Sequence, residues 1–140
     1  MFLLVYASSA VELFNEKALH DLLEVCHHNN AKLDITGLLL YHDGSFIQAI
    51  EGPEKAVQGL YQKIKRDPRH KDIFTLVEQP ISERNFPNWS MGFQSLTSLP
   101  VDRPGFSTFL TKSDTSLVEV FRNNPQRANL LLLTFRDNMI

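Results

Sequence analysis

The stretch 35–52, ITGLLLYHDGSFIQAIEG, reads as a complete β-hairpin, and one of its residues does not suit its surroundings. An apolar run at 35–41 ends at Asp43-Gly44, a dipeptide that accepts the positive φ angles of a tight turn, and residues 45–51 return as the partner strand. Side chains alternate along the return strand, so Phe46, Gln48 and Ile50 share one face while Ile47, Ala49 and Glu51 share the other. Gln48 is therefore an amide in an apolar row. Burying an amide without partners costs roughly 2–7 kcal/mol, so either nearby backbone or another polar side chain must meet it.

Upstream, the dense apolar run 2–6 predicts a central strand with Phe2, Leu4 and Tyr6 on one face. A helix follows, with Asn15 as N-cap and Leu19, Leu22, Leu23 and Cys26 at the spacing of one buried stripe, ending near 27–30. Downstream of the hairpin, Gly52-Pro53 opens a second helix with Pro at its first position. Val57, Leu60, Tyr61 and Ile64 form its stripe, and Asp67-Pro68 closes it. Residues 69–71 read as a loop, 74–78 as a fourth strand stopped by Pro80, and 89–96 as a fifth with Trp89, Met91 and Phe93 on one face. This order is the split βαβ arrangement of an α+β, ferredoxin-like βαββαβ sandwich with an added fifth strand, both helices covering one face.

After Pro100 the character changes. Pro104-Gly105 marks a loop, and helices at about 115–122 and 125–137 finish the chain. Four successive leucines, 130–133, point more than halfway round a helix axis, so this helix is either wedged between sheet and sister helix or offers a surface to a partner. Residues 1–98 are expected to form the core domain and 99–140 a C-terminal helical extension.

At 140 residues, 43% hydrophobic and 21% charged, the chain can build one real core. A net charge of −2 gives no reason to expect nucleic acid or an anionic membrane as partner. No stretch approaches the ~20 apolar residues of a membrane span, and the short N-terminal run lacks the basic flank of a secretion signal. The lone Cys26 excludes an internal disulfide and points to a reducing, cytoplasmic setting. On the helix stripe it reads as a small buried hydrophobe more readily than as a reactive thiol.

Placed on this frame, the polar residues converge. The first and third strands are adjacent in a split βαβ sheet, so Tyr6 and Gln48 can stand side by side beneath the helices, with Asn30 at the mouth of the gap between them. A phenol and two amides around one crevice, with no metal-ligand cluster, phosphate loop or nucleophile–base pair, suit a flat heterocycle with carbonyl and N–H edges.

Over about residues 3–96 the chain resembles BLUF domains, blue-light sensors that use a flavin. The residues that carry the likeness are Tyr6-Ala7-Ser8, Asn29-Asn30 before Ile35-Thr36-Gly37, Phe46-x-Gln48-x-x-Glu51-Gly52, Asp67-Pro68-Arg69-His70 and Asn88-Trp89-Ser90-Met91. The resemblance implies a flavin, FAD with FMN or riboflavin also accepted, held between the two helices. It implies that Asn30 bonds the ring edge, that Ile35 packs on the ring, and that Tyr6, Ser8, Phe46 and Gln48 belong to the site. Asp67 would also bind the cofactor, and Arg69 and His70 would lie toward the ribityl and phosphate end, with a solvated loop as the alternative for those two. In the family's photochemistry Tyr6 would be the electron and proton donor and Gln48 the relay, its amide exchanging what it offers to flavin and phenol.

Trp89 and Met91 would carry the change outward, or serve only as core packing. Gly92 departs from the bulkier residue of many relatives, and nothing after Leu96 resembles a known output domain. The resemblance thus implies a short, stand-alone sensor without enzymatic activity, signalling to an unknown protein effector or by self-association as a dimer or larger. Two rivals remain. An acylphosphatase-like hydrolase on this fold needs a phosphate loop with an arginine, and residues 7–14 contain neither glycine nor arginine. A flavin-binding module without photoactivity is the other.

Overall fold

The computed structural model describes residues 1–42, 44–87, 92–95 and 132. Its elements are β1 (Phe2–Ala10), α1 (Glu16–Lys32), β2 (Thr36–His42), β3 (Ser45–Gly52), α2 (Glu54–Lys65), β4 (His70–Pro80) and β5 (Gly92–Ser95). They build one five-stranded sheet in the order β4-β1-β3-β2-β5. β1 runs antiparallel to both β3 and β4, β2 antiparallel to β3, and β5 parallel to β2. The expected ferredoxin-like α+β sheet with an added fifth strand is therefore present, β3 lying between β1 and β2.

The hairpin sets this register. Seven pairs run from Thr36–Glu51 to His42–Ser45, and Gly44 turns the chain at φ +83°, where a side chain would be strained. Asp43, the other turn residue expected, lies outside the described residues. Alternation then sorts the apolar residues into two layers. Phe2, Leu4, Tyr6, Leu39, Phe46 and Ile50 face the helices and pack with Leu19 of α1 and Val57 and Tyr61 of α2. On the opposite face Leu3, Val5, Ala7, Leu38, Leu40, Ile47 and Ala49 are at most 2% exposed. Each buried Val, Leu or Ile contributes about 1.5–3 kcal/mol by leaving water, so β1 and β3 are held from both sides.

Several boundaries differ from expectation. β1 extends to Ala10, because the polar Ser8 and Ser9 still find pairing partners in β3. Asn15 caps α1 as expected, its side chain accepting from Ala18 N at 2.8 Å, but the helix continues to Lys32. Pro53 is the N-cap of α2, one position earlier than expected, with no side-chain capping bond. The expected loop at 69–71 is partly strand: His70 and Lys71 pair with Ala10 and Ser9. β5 begins at Gly92, and Trp89 and Met91 lie outside the described residues. So do the two expected C-terminal helices and the boundary at residue 98, apart from Leu132, which is helical and fully buried.

Candidate functional site

Tyr6 and Gln48 are direct partners across the β1–β3 seam. Both point toward the helices, 4% exposed each, and the Tyr6 hydroxyl donates to Gln48 Oε1. The amide in the apolar row thus meets a phenol. With its carbonyl turned to Tyr6, the other end of the Gln48 side chain carries the NH2 donors. Burial holds the Tyr6 phenol well above the usual tyrosine range, and nearby Cys26, Tyr61 and Asp67 add to the effect. The phenol is therefore protonated at neutral pH.

On its other side β1 is less regular. From Val5 to Ala10 it advances five residues while β4 runs back seven, from Val77 to His70, so β4 carries two extra residues. One register break lies between Val5 and Tyr6, the other between Ala7 and Ser9, near Asp72 at φ +53°. Tyr61 stacks on Tyr6 with ring centroids 5.3 Å apart, and its hydroxyl lies 2.9 Å from Thr75 Oγ1.

Between the two helices and this seam lies a cavity of about 190 Å3. Tyr6, Asn30, Phe46, Gln48, Asp67, Arg69 and His70, all expected site residues, line it. Asn30 is 2% exposed, deeper than the expected mouth of the crevice. Phe14, Tyr41 and Phe46 form an aromatic cluster against the cavity, Phe14 meeting Phe46 edge-on at 5.1 Å and donating its backbone N–H to Tyr41 Oη at 3.0 Å.

Two expected site residues stand behind the wall. Ser8, fully buried, places its hydroxyl 2.8 Å from His70 Nδ1, while His70 Nε2 lies 2.6 Å from the Ile64 carbonyl. Ser8 therefore fixes a lining residue. Ile35 belongs to the apolar core and donates its N–H to the Asn30 carbonyl at 3.0 Å, fixing the end of α1. At the rim the Arg69 guanidinium forks onto Asp67, with Nη2 to Oδ2 at 2.5 Å and Nε to Oδ1 at 3.0 Å. The pairing pulls the Asp67 carboxyl below, and pushes Arg69 above, their usual ranges.

Sequence reasoning missed several lining residues, though helical spacing contains the signal. Leu22, Val25, Cys26 and Asn29 recur at three and four residues along α1 ahead of the expected Asn30, and Leu60, Lys63 and Ile64 do the same along α2 ahead of the expected Asp67. This also corrects the reading of the α1 stripe. Leu22 and Cys26 are only partly buried because they border the cavity. Burial still raises the Cys26 thiol above its usual range, so it is protonated and a poor nucleophile at neutral pH.

A second polar cluster was not foreseen. The fully buried Glu51 carboxylate accepts from Phe86 N at 2.5 Å, Asn85 N at 2.8 Å and Thr36 Oγ1 at 3.2 Å. Beside it Arg84 donates to Thr36 Oγ1 and the Asp34 carbonyl at 2.8 Å each, tying the chain ahead of β5 to the start of β2. The sequence shows the acid in the strand but not its partners, fifteen to thirty-five residues away.

Among the described residues no cluster of His, Cys, Asp or Glu could hold a metal, and no helix is long and apolar enough to cross a membrane. The cavity itself fits an aromatic heterocycle. It exceeds the ~150 Å3 that suffices for a benzene-sized guest, its walls are mostly apolar, and its polar lining includes the Tyr6 phenol and the amides of Asn29, Asn30 and Gln48, groups able to pair with ring carbonyl and N–H edges.

Fold and site together define a ferredoxin-like α+β domain with a buried tyrosine–glutamine pair in the wall of a cavity between sheet and helices. The family model for BLUF, sensors of blue light using FAD, matches residues 1–92. The chain belongs to that family, and FAD is the family's chromophore. It is 42% identical over 89 residues to photoactivated adenylate cyclase subunit beta of Euglena longa, covering 63% of this chain and 10% of that protein. To the blue light- and temperature-regulated antirepressor BluF of Escherichia coli it is 32% identical over 83 residues, 59% of this chain and 21% of that one. The chain thus spans about a tenth of the cyclase subunits it matches. Among solved structures, the BLUF protein BlrB in its dark state superposes with a TM-score of 0.69 at 30% identity, covering 91% of this chain and 96% of that one. BlsA in its ground state gives 0.73 at 30% identity, covering 94% and 87%.

Proposed function

We propose that this chain is a non-enzymatic blue-light photoreceptor in which Tyr6 is the electron and proton donor and Gln48 the hydrogen-bond relay. The observation that supports it is the buried Tyr6–Gln48 hydrogen bond in the wall of the cavity between α1 and α2. A bound flavin supplies the blue absorption and, once excited, a strong oxidant. Tyr6 gives up an electron and, because an oxidised phenol is a strong acid, passes its proton to Gln48 Oε1, the atom it already bonds. With the electron and that proton back on Tyr6, the Gln48 amide would be left rotated, with a different donor and acceptor pattern toward the cavity. The light state is then a redistribution of hydrogen bonds and not a product. Asn30 holds the ring edge, and Phe46 and the helix side chains exclude water.

Output would run by noncovalent contact with a protein effector, or by a change in the chain's own assembly, in the cytoplasm, with residues 99–140 as the extension that carries it. Absorption spectra in darkness, under blue light and after renewed darkness test the reading. A flavin band that shifts reversibly to the red in the wild-type chain and stays fixed in Gln48→Leu is expected; a shift that persists in the variant overturns the role of Gln48, and no shift in either favours the inactive flavin-binding module.

A further inference from the structure

Among the described residues, three side chains able to carry positive charge line the cavity: Lys63, Arg69 and His70. Two are already engaged. His70 is held at both ring nitrogens, by Ser8 Oγ and by the Ile64 carbonyl. Arg69 lays Nε and Nη2 on the Asp67 carboxylate, which compensates its charge and occupies that edge of its fork. The side chain of Lys63, near the end of α2, takes part in no hydrogen bond or ion pair among the described residues, and the residue is exposed. Among the described residues that line the cavity, its ammonium is the cation without a partner.

The ground beyond Arg69 is unfavourable to an anion. A second cleft opens there, sharing Phe14 and Arg69 with the first, and it is lined by the carboxylates Glu12 and Asp21 among apolar Val11, Leu13 and Pro68. A phosphate leaving the cavity on that side would meet two like charges after a cation already neutralised. On the α2 side it would meet a free ammonium.

We infer that Lys63, and not Arg69 or His70, holds the ribityl phosphate of a bound flavin, and so sets the preference for FMN and FAD over unphosphorylated riboflavin. This rests on the reading of the cavity as a flavin site. An exposed ammonium–phosphate contact is screened by salt and is worth about fivefold in affinity at low ionic strength.

The experiment is a competition. The full chain is exchanged against equimolar riboflavin and FMN at low salt, and the retained flavins are separated and quantified. Wild type is expected to retain about five times more FMN than riboflavin, an advantage that shrinks in high salt. Lys63→Gln is expected to retain the two alike, and Lys63→Arg to restore the preference. An FMN preference unchanged in Lys63→Gln, an absent preference in wild type, or equal loss of both flavins from the variant overturns the inference. Retention of neither flavin by the wild-type chain overturns the flavin reading itself.

Discussion

The carboxylate of Glu51 accepts the backbone N–H of Phe86 at 2.5 Å, fully buried and 35 residues away in sequence. With Asn85 N and Thr36 Oγ1 on the same carboxylate, this one side chain terminates three donors. Glu51→Ala is expected to lower stability by about 3 kcal/mol, because a lost acceptor strands buried donors at about 1–3 kcal/mol each. In a chain of this size that moves the thermal midpoint by about 10 °C. Glu51→Gln turns one oxygen into a donor facing a donor, and should fall between the two. Melting curves followed by circular dichroism decide, and an unchanged midpoint for the alanine variant would refute the assignment.

Tyr6→Phe keeps the ring that stacks on Tyr61 and removes only the hydroxyl. The Gln48 carbonyl then loses a buried donor, at about 1–2 kcal/mol. Flavin should remain bound, since the variant keeps Asn30 and the apolar wall, while the light-induced red shift disappears. Denaturant titration and a light–dark difference spectrum on the same sample check both halves.

Asp67 provides a pH test. Arg69 lowers its folded pKa beneath the unfolded value of about 3.9, so the contribution is complete above that pH and is lost as pH falls through the folded pKa. The wild-type advantage over Asp67→Asn should therefore be constant from neutrality to about pH 5 and shrink below about pH 4. Half of the Arg69 side chain is exposed, which keeps the advantage small. An advantage that grows on acidification would contradict the pairing.

Three glycines should respond differently to alanine. At Gly44 the φ of +83° strains any side chain, and a Cβ would also stand 3.1 Å from Leu13 Cδ2; the strain alone costs about 1–2 kcal/mol. At Gly52 the Cβ would lie 2.7 Å from the Asp34 carbonyl oxygen, a backbone atom, so β3 or the α1–β2 connection must move and the loss should be larger. Gly59 is exposed on α2 with nothing within 4 Å, and alanine there should stabilise by about 0.5–1 kcal/mol through helix propensity. Melting the three variants side by side gives the ranking.

Element order, strand adjacency and the Tyr6–Gln48 pairing were legible in the sequence because they depend on local signals: the period-two alternation of 45–51, the Asp43-Gly44 turn, the helix stripes. The site was legible where an amide or phenol interrupts an apolar row. Bulges were not, since nothing between Thr75 and Val77 or near Asp72 announces the two extra residues in β4, and neither was the extension of that strand back to His70. That Ser8 and Ile35 stand outside the cavity lining was not legible for a related reason. Their neighbours across the sheet and at the helix end, His70 and Asn30, decide whether a residue faces the cavity or supports one that does. The Glu51 cluster depends wholly on long-range contacts.

The two sides of β1 have different mechanical characters. Toward β3 eight consecutive pairs run without interruption from Phe2–Gly52 to Ser9–Ser45, whereas toward β4 the ladder is broken on each side of the Tyr6–Thr75 pair. The first seam is a rigid rail that preserves the alignment of phenol and amide. The second, with hydrogen bonds missing at its bulges, is the compliant one. A rearrangement beginning at Tyr6 thus meets least resistance toward β4 and Tyr61, so the sheet has a built-in direction of give perpendicular to its strands.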